Sequence, residues 1–389
     1  MSVGGQLASV LAAFPEGDAA NLAARLRIVE RRIPIEGLIE TTFRCNLRCA
    51  HCYVSQPAGA RVAQDDELSL ARLTRLLDEL AEAGCLFLTF SGGEPLLRAD
   101  FPDLYRHAIR AGLVVSVFTN GTLLNEATVD LFDEWRPDYV EVSLYGMTPA
   151  TYERVTQVPG SYARCIAGIE RVRARGIALR LKTMALTWNV HEMAEMERFT
   201  QSLGVPFRYD GQLNPRIDCG ASRYRELQLV PEALVALDIG HAERWDEMRR
   251  TLDPVREARP MELTAVYGCA AGRTTFSVDA RGRLLLCPLS RRGGYDLRTG
   301  TFAEGWRESL SRARERHWQS ASPCRRCSLM ALCDSCPGAN ELETGDVETP
   351  VAVFCEIAHR RAAAIVGAAS GHRADASCCL GAQPTPSAA

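Results

Sequence analysis

The chain has 389 residues, 24% of them charged and 47% hydrophobic, and 45 Lys and Arg residues against 48 Asp and Glu residues give a formal net charge of −3. This is the composition of an ordinary globular protein, and it disfavours a basic nucleic-acid-binding protein. The length suggests two or three domains. No apolar run of about 18 residues predicts a membrane span, and the N-terminus lacks the basic region of a secretory signal, so we expect a cytoplasmic protein.

The 15 cysteines are too sparse for a small disulfide-stapled protein, and most of them are clustered. Three lie between residues 45 and 52, and four lie between residues 324 and 336. Thiols stay reduced in the cytoplasm, so clusters of this kind favour metal ligands over disulfides.

Between residues 35 and 211, short apolar runs alternate with amphipathic helical patterns. Apolar residues recur at helical period from Leu70 to Leu80, after a capping Ser69 and before Gly84. The pattern predicts six strands of a parallel sheet with helices on one face, fewer than the eight of a closed barrel. The predicted strands are Gly37–Thr42, Leu86–Phe90, Leu113–Phe118, Tyr139–Leu144, Ala178–Ala185 and Pro206–Tyr209.

The predicted fold class is therefore α/β, a partial (β/α)6 TIM-like barrel followed by a small cysteine-rich iron–sulfur domain. The second domain has few strong apolar runs, so we expect its folding to depend on metal. The tail is rich in Ala, Ser, Gly and Pro and is predicted to be disordered. The predicted organisation is a lead segment at 1–34, the barrel at 35–235, a helical linker at 236–265, the cysteine-rich domain at 266–365 and the tail at 366–389.

Cys45, Cys49 and Cys52 follow the first predicted strand with C-x3-C-x2-C spacing. Three thiolates in one compact loop can bind three irons of a [4Fe–4S] cluster and leave the fourth iron open. A zinc site completed by His51 is the alternative for these residues taken alone.

From this motif onward, over about residues 35–211, the chain resembles the radical S-adenosylmethionine (SAM) superfamily. That family has a glycine-rich segment after its second strand, matched here by Gly92, Gly93 and Glu94 in Ser-Gly-Gly-Glu-Pro. The resemblance implies that this segment binds the amino group of SAM. Glycines let a backbone pass close to a ligand, and a carboxylate accepts hydrogen bonds from an ammonium group.

Three further positions match the family along the predicted barrel. The resemblance places Asn120 at the end of strand three, Ser143 at the SAM ribose and Arg154 at the methionine carboxylate, a task that suits a guanidinium. Without the resemblance, these residues are an ordinary turn, a strand-end serine and a solvated helix charge.

The C-terminal cysteines resemble the SPASM extension of radical SAM enzymes that act on peptides and proteins, which implies two auxiliary [4Fe–4S] clusters. The second cluster has three matched cysteines, so its fourth position is either open or filled by a residue such as Asp279. The last interval of the four-cysteine run is x2 instead of the common x3, which puts the place of Cys336 in question. A zinc ribbon is the alternative. The implied ligands are Cys324, Cys327, Cys333 and Cys355 for one cluster, and Cys269, Cys287 and Cys336 for the other.

Other residues receive weaker expectations. Cys85 and Cys165 are expected to be buried in the core, and Cys219, Cys378 and Cys379 are unassigned. Strand six ends with residues 208–210, Arg-Tyr-Asp, which either face the substrate or are ordinary strand-end residues.

The resemblance implies reductive cleavage of SAM to a 5′-deoxyadenosyl radical that abstracts hydrogen from a ribosomally synthesised peptide, leading to a crosslink, an epimerisation or an oxidation. Expected partners are the peptide and an electron donor such as flavodoxin or ferredoxin. About 34 residues before the first strand are too few for a leader-binding domain, so a separate leader-binding protein is expected. The alternatives are a sulfatase-maturase-like side-chain oxidase, a small-alcohol dehydrogenase, and a zinc-stabilised binding protein without activity.

Overall fold

The computed structural model describes residues 27–54, 56–60, 64–218, 222–257 and 264–369. Cys219, Cys378, Cys379, most of the predicted lead segment and the predicted tail beyond residue 369 lie outside the described residues. The chain divides into two compact units. Among the described residues, one unit contains those up to 227 together with 269–314, and the other contains those between 228 and 268 together with those from 315 onward.

The first unit is built on a nine-stranded sheet. Six of its strands are parallel neighbours in chain order and lie within one or two residues of the predicted positions, which confirms the predicted α/β class. They are β1 (Glu36–Glu40), β2 (Phe87–Ser91), β3 (Val114–Thr119), β4 (Val140–Ser143), β5 (Leu179–Met184) and β6 (Phe207–Asp210).

Helices connect these strands. The first, α1, begins as predicted after Ser69, whose hydroxyl accepts a hydrogen bond from Arg72 N at 3.3 Å. Gly84 follows its end with φ +90°, a conformation that favours glycine. The helices of this unit are α1 (Leu70–Glu82), α2 (Phe101–Arg110), α3 (Glu126–Glu134), α4 (Pro149–Thr156), α5 (Ser161–Ala174) and α6 (Met193–Leu203), with a helical run from Phe302–Glu304 through Gly305–Leu310 to Ser311–Arg314.

The two faces of the parallel sheet differ in chemistry, because successive residues of a strand point to opposite sides. One face is apolar and buried, with residues such as Ile39, Leu88 and Val117. The strand register aligns polar side chains on the other face, among them Glu36, Glu40, Thr89, Ser91, Ser116, Glu141, Ser143, Lys182, Arg208 and Asp210.

Three further strands extend the sheet beyond β1, and the sequence did not predict them. Strand β7 (Thr275–Val278) pairs in parallel with β1, and it is followed by the antiparallel strands β8 (Arg283–Leu285) and β9 (Tyr295–Asp296). This differs from the predicted boundary, which placed these residues in a separate domain at 266–365. The physical reason is the free edge of β1, which β7 covers with four buried residues.

The second unit contains four helices around a small core. Arg361, 1% exposed in its side chain, forms ion pairs with Asp238 and Asp334, both at 2.8 Å. Of the residues predicted as a linker, 236–240 and 242–257 are helical, and they form part of this compact unit. The final helix extends past residue 366, where the tail was predicted to begin. Among the described helices, none is both long and apolar enough to cross a bilayer. The helices are α7 (Pro231–Gly240), α8 (Ala242–Glu257), α9 (Pro337–Thr344) and α10 (Ala352–Ala369).

Glu36, at the start of β1, provides a test of the buried polar face. Burial raises the pKa of its carboxyl from 4.5 to about 7. Its stabilising contribution is therefore complete below the unfolded pKa and is lost as the pH rises through the folded pKa. We predict that Glu36→Gln increases the free energy of unfolding above pH 7 by up to about 3 kcal/mol and flattens its pH dependence.

Urea denaturation at about pH 5 and about pH 8 measures this effect, with the exposed Glu126→Gln as the control. A Glu36→Gln variant that is less stable than wild type at the higher pH would contradict the prediction.

Candidate functional site

The loop after β1 brings together the three thiols of the first predicted cluster. Burial, with the nearby Glu94 carboxylate, raises the pKa of Cys45 to about 12. Burial is the largest cause that raises the pKa of Cys49 well above its usual value, and the neighbouring Cys52 and Cys45 thiols raise it further. The three sulfurs thus lie close enough to interact in a site where a free thiolate is unstable and a bound cation would stabilise it.

This loop rests on the glycine-rich segment that follows β2. Gly93 N donates to Thr42 O at 2.7 Å, and Glu94 N donates to Arg44 O at 2.9 Å. A Cβ atom at Gly92 would lie 2.3 Å from Thr42 O, and one at Gly93 would lie 2.2 Å from Arg44 O. The glycines therefore allow close approach of two protein backbones, whereas the sequence interpretation assigned them to approach of a ligand.

Glu94 is fully buried at the centre of the site. Its carboxylate accepts hydrogen bonds from Thr119 Oγ1 and Asn120 N, both at 2.8 Å, and from Leu96 N at 3.2 Å. Burial raises its pKa to about 7, although these hydrogen bonds lower it in part. In this structure Glu94 connects the ends of β2 and β3.

Asn120 connects the end of β3 to the cysteine loop. Its Nδ2 donates to Asn46 Oδ1 at 2.9 Å and to Cys45 Sγ at 3.7 Å, while its Oδ1 accepts from Thr122 N and Thr122 Oγ1. The sequence analysis did not identify Asn46, Thr119 or Thr122. The sequence feature that could have identified them is the group of short polar residues beside Cys45 and in the Thr-Asn-Gly-Thr turn.

The donor set of the loop fits an iron–sulfur cluster. Thiolates are the ligands that hold such clusters, and three of them share this loop. Among the described residues, no three His, Cys, Asp or Glu side chains converge on a point suited to one metal ion. In a four-iron cluster each thiolate binds a different iron, so its ligands need not converge in this way.

The remaining predicted SAM-binding residues are Ser143, at the end of β4, and Arg154, in α4. Ser143 is buried, and its side chain hydrogen-bonds Tyr145. Arg154 is exposed, with its guanidinium carbon 4.3 Å from the centre of the Trp188 ring. The ring of His51 lies 4.9 Å from the Tyr145 ring, and burial lowers the pKa of His51 to about 4.

Charged side chains on the polar face of β4 to β6 form a cluster that the sequence analysis identified only in part. Glu141 forms ion pairs with Lys182 at 3.2 Å and Arg208 at 2.5 Å, and Arg208 also pairs with Asp210 at 3.0 Å. Burial would raise the pKa of Glu141, but the two cations outweigh it and lower the pKa. Tyr209 is buried on the opposite face, so it was wrongly grouped with its two neighbours.

Cys269 and Cys287 lie in the first unit with the barrel. Tyr53, which follows Cys52, interacts electrostatically with both Cys52 and Cys287, so Cys287 lies near the first cysteine loop. Both carboxylate oxygens of Asp279 are engaged by nearby groups of the chain, including Arg283 Nε at 2.8 Å. The structure therefore does not support Asp279 as a metal ligand.

A buried ion pair joins the Cys287 loop to β1. Arg291 forms a bidentate pair with Glu40, with both N–O distances 2.8 Å. Both residues are at least nine-tenths buried. Sequence reasoning missed this pair, although a glutamate in an otherwise apolar strand was a signal for a buried partner.

The second unit gathers five thiols around one pocket. Cys324, Cys327, Cys333 and Cys355, the predicted ligands of one auxiliary cluster, all line it, and so does Cys336. Cys336 is the N-cap of α9, and its Sγ accepts a hydrogen bond from Ala339 N at 3.4 Å. The structure thus brings the first predicted set together and adds the cysteine whose place was in question.

The burial of two further cysteines agrees with the sequence prediction. Cys85 and Cys165 are buried, and no disulfide joins any two of the 12 described cysteines.

Comparison with known proteins finds a family match for part of the chain. Residues 39–200 match the model of the radical SAM superfamily. The chain is 34% identical over 172 residues to PqqA peptide cyclase of Gluconobacter oxydans, a match that covers 44% of this chain and 47% of that protein. The chain thus spans about half the length of this relative.

Two relatives match over more of the chain. Mycofactocin maturase MftC of Mycobacterium ulcerans is 28% identical over 77% of this chain and 80% of its own length. The AdoMet-dependent heme synthase of Methanosarcina barkeri is 25% identical over 81% of this chain and 95% of its own length. The crystal structure of Streptococcus suis SuiB bound to precursor peptide SuiA has a TM-score of 0.62 at 16% identity, covering 84% of this chain and 78% of SuiB, and thus shares its fold.

The backbone contact at Gly93 generates a direct test. We predict that Gly93→Ala destabilises the protein by about 3 kcal/mol, because the new Cβ would overlap Arg44 O in a segment that cannot relax without moving the cysteine loop. Iron content should fall with it. Anaerobic urea denaturation and iron analysis measure both effects.

Gly59→Ala is the matched control, since no atom lies within 4 Å of its Cβ position. Equal stability of the two variants would show that the close approach at Gly93 does not hold the loop.

Proposed function

The chain carries a radical SAM domain at residues 39–200, and on that premise we propose that it cleaves SAM reductively and uses the resulting radical to modify a ribosomally synthesised peptide. The observation that carries this proposal is the loop of Cys45, Cys49 and Cys52, hydrogen-bonded through its backbone to the glycine-rich segment after β2. The three thiols and the glycine-rich segment follow the carboxyl ends of β1 and β2, which are adjacent parallel strands. Active sites of barrel folds lie at this end of the strands.

In this proposal the three thiolates hold a [4Fe–4S] cluster with one open iron. When bound, the cluster supplies the electron that splits the sulfonium of SAM into methionine and a 5′-deoxyadenosyl radical. Cys45 is oriented by hydrogen bonds from Leu47 N at 3.4 Å and Asn120 Nδ2. Cys45 is buried, whereas Cys49 and Cys52 are partly exposed and accessible to SAM.

We further propose that SAM is bound by residues after β2, at the end of β4 and in α4. The Gly92–Glu94 segment would meet its amino group, Ser143 its ribose and Arg154 its carboxylate. The Glu94 carboxylate already accepts three hydrogen bonds from the chain, so it retains limited capacity for the ammonium group. The exposed Arg154 guanidinium suits a bidentate pair with a carboxylate.

The auxiliary clusters are part of the same proposal. Cys324, Cys327, Cys333 and Cys355 would hold one cluster in the pocket of the second unit. Cys269 and Cys287, both in the first unit, would contribute to the other, with an iron position open to a substrate group. The thiol lining of the pocket supports the first assignment.

Two relatives support a peptide as the substrate: a PqqA peptide cyclase and a mycofactocin maturase. The solved SuiB complex contains a precursor peptide. We propose a low-potential donor such as flavodoxin or ferredoxin and a separate leader-binding protein as partners. The second candidate is radical modification of a heme precursor, because the heme synthase match covers 95% of that protein.

The first test is SAM cleavage. We predict that anaerobically reconstituted wild type forms 5′-deoxyadenosine from SAM under dithionite. The combined variant Cys45→Ala/Cys49→Ala/Cys52→Ala should form none, with iron falling by about one four-iron cluster of three. Chromatography of the nucleoside products and iron analysis measure both results.

The control is Cys85→Ala/Cys165→Ala, which removes two buried thiols outside the predicted ligand sets. Wild-type protein that contains zinc and no iron, or that leaves SAM intact, would contradict the proposed function. Intact-mass spectrometry separates the two substrate classes. A mass change in a short peptide encoded beside the gene supports peptide modification, and turnover of a porphyrin instead supports the heme-precursor candidate.

A further inference from the structure

The Asn120 side chain contacts the cysteine loop directly, in addition to its predicted place among the SAM-binding residues. Its Nδ2 group lies 3.7 Å from Cys45 Sγ and 2.9 Å from Asn46 Oδ1. An amide nitrogen carries two hydrogens, so one donates to Asn46 and the other is directed to the sulfur. The Asn120 side chain is buried, so water does not compete strongly for these hydrogens.

The orientation of this amide is determined by its surroundings. Asn120 Oδ1 accepts from Thr122 N at 2.9 Å and from Thr122 Oγ1 at 2.6 Å. The Thr122 hydroxyl in turn accepts from Asn46 Nδ2 at 2.8 Å. A reversed Asn120 amide would place its NH2 group against the Thr122 N–H donor and its oxygen against the Asn46 Oδ1 acceptor, so the NH2 group faces Cys45.

The backbone holds the same residue in place. Asn120 N donates to Glu94 Oε2, and Thr119 Oγ1 donates to Glu94 Oε1, both at 2.8 Å. Glu94 follows the glycines that contact the cysteine loop. The Asn120 amide group is therefore held beside the cysteine loop in two ways. Its side chain is held by the hydrogen bonds to Asn46 and Thr122, and its backbone N–H is held by Glu94.

We infer that Asn120 sets the reduction potential of the first cluster by donating a hydrogen bond to the Cys45 sulfur, an inference that rests on the proposed function. One electron from an external low-potential reductant increases the negative charge of the cluster and its thiolates by one unit. A donor to sulfur stabilises this more negative form, and hydrogen bonds to cluster sulfurs are known to tune such potentials. Asn120 is thus a positioning residue that acts through Cys45.

The test is an EPR-monitored dithionite titration of the anaerobic holoprotein without SAM or peptide. The first cluster is identified as the signal that disappears in the variant lacking all three loop cysteines. We predict that Asn120→Leu decreases the ratio of reduced to oxidised cluster about tenfold at a given potential, which equals about 59 mV for one electron. Asn120→Asp keeps the size and the acceptor for Thr122 but replaces the donor by an anion, so its shift should be larger in the same direction.

The matched control is Asn125→Leu, the same substitution at an exposed helix cap of the barrel. It should decrease stability without changing the potential. An unchanged potential in an iron-loaded Asn120 variant would overturn the inference. Loss of first-cluster iron in both variants would also overturn it, because Asn120 would then be required for holding the cluster. A wild-type protein that binds no iron would instead defeat the proposed function, so the two failures are distinguishable.

Discussion

The candidate site depends on the close contact between the cysteine loop and the segment after β2. Two backbone hydrogen bonds, from Gly93 N to Thr42 O and from Glu94 N to Arg44 O, continue the parallel pairing of β1 and β2 beyond the ends of both strands. Any side chain at residue 92 or 93 would overlap carbonyl oxygens of the loop. The position of the three thiols is thereby set by the sheet rather than by the loop alone.

The same sheet organises the surroundings of the loop. Its apolar face is buried, and its polar face carries ionised groups that pair with one another, such as Glu141 with Lys182 and Glu40 with Arg291. Desolvating a charge is costly unless it has a partner, so these pairs make a polar sheet face compatible with burial. The paired charges fix the positions of these polar side chains on the sheet face that adjoins the cysteine loop.

The sequence predicted the six parallel strands and the cysteine loop because both produce local patterns. Buried strands such as residues 114–119 are short, mainly apolar runs, and metal-binding loops have short ligand spacings. Strand β7 was missed because its partner in the sheet lies more than 230 residues away, at residues 36–39, and no local pattern encodes such a pairing.

Residue roles were less predictable than positions. The resemblance assigned Glu94 to the SAM amino group, and the structure adds contacts that no local pattern showed, because its carboxylate accepts hydrogen bonds from Thr119, Asn120 and Leu96. Tyr209 was grouped with its neighbours although strand alternation places it on the opposite face. The Glu40–Arg291 pair joins residues 251 positions apart, so only the folded chain reveals it.

The central claim is that three thiolates of the first loop hold a cluster with an iron open to SAM. It is tested most directly by Mössbauer spectroscopy of the wild-type chain reconstituted with iron-57, recorded before and after addition of SAM. The account predicts four-iron clusters and a changed isomer shift for one iron when SAM binds. A spectrum without four-iron clusters, or one that SAM leaves unchanged, would contradict it.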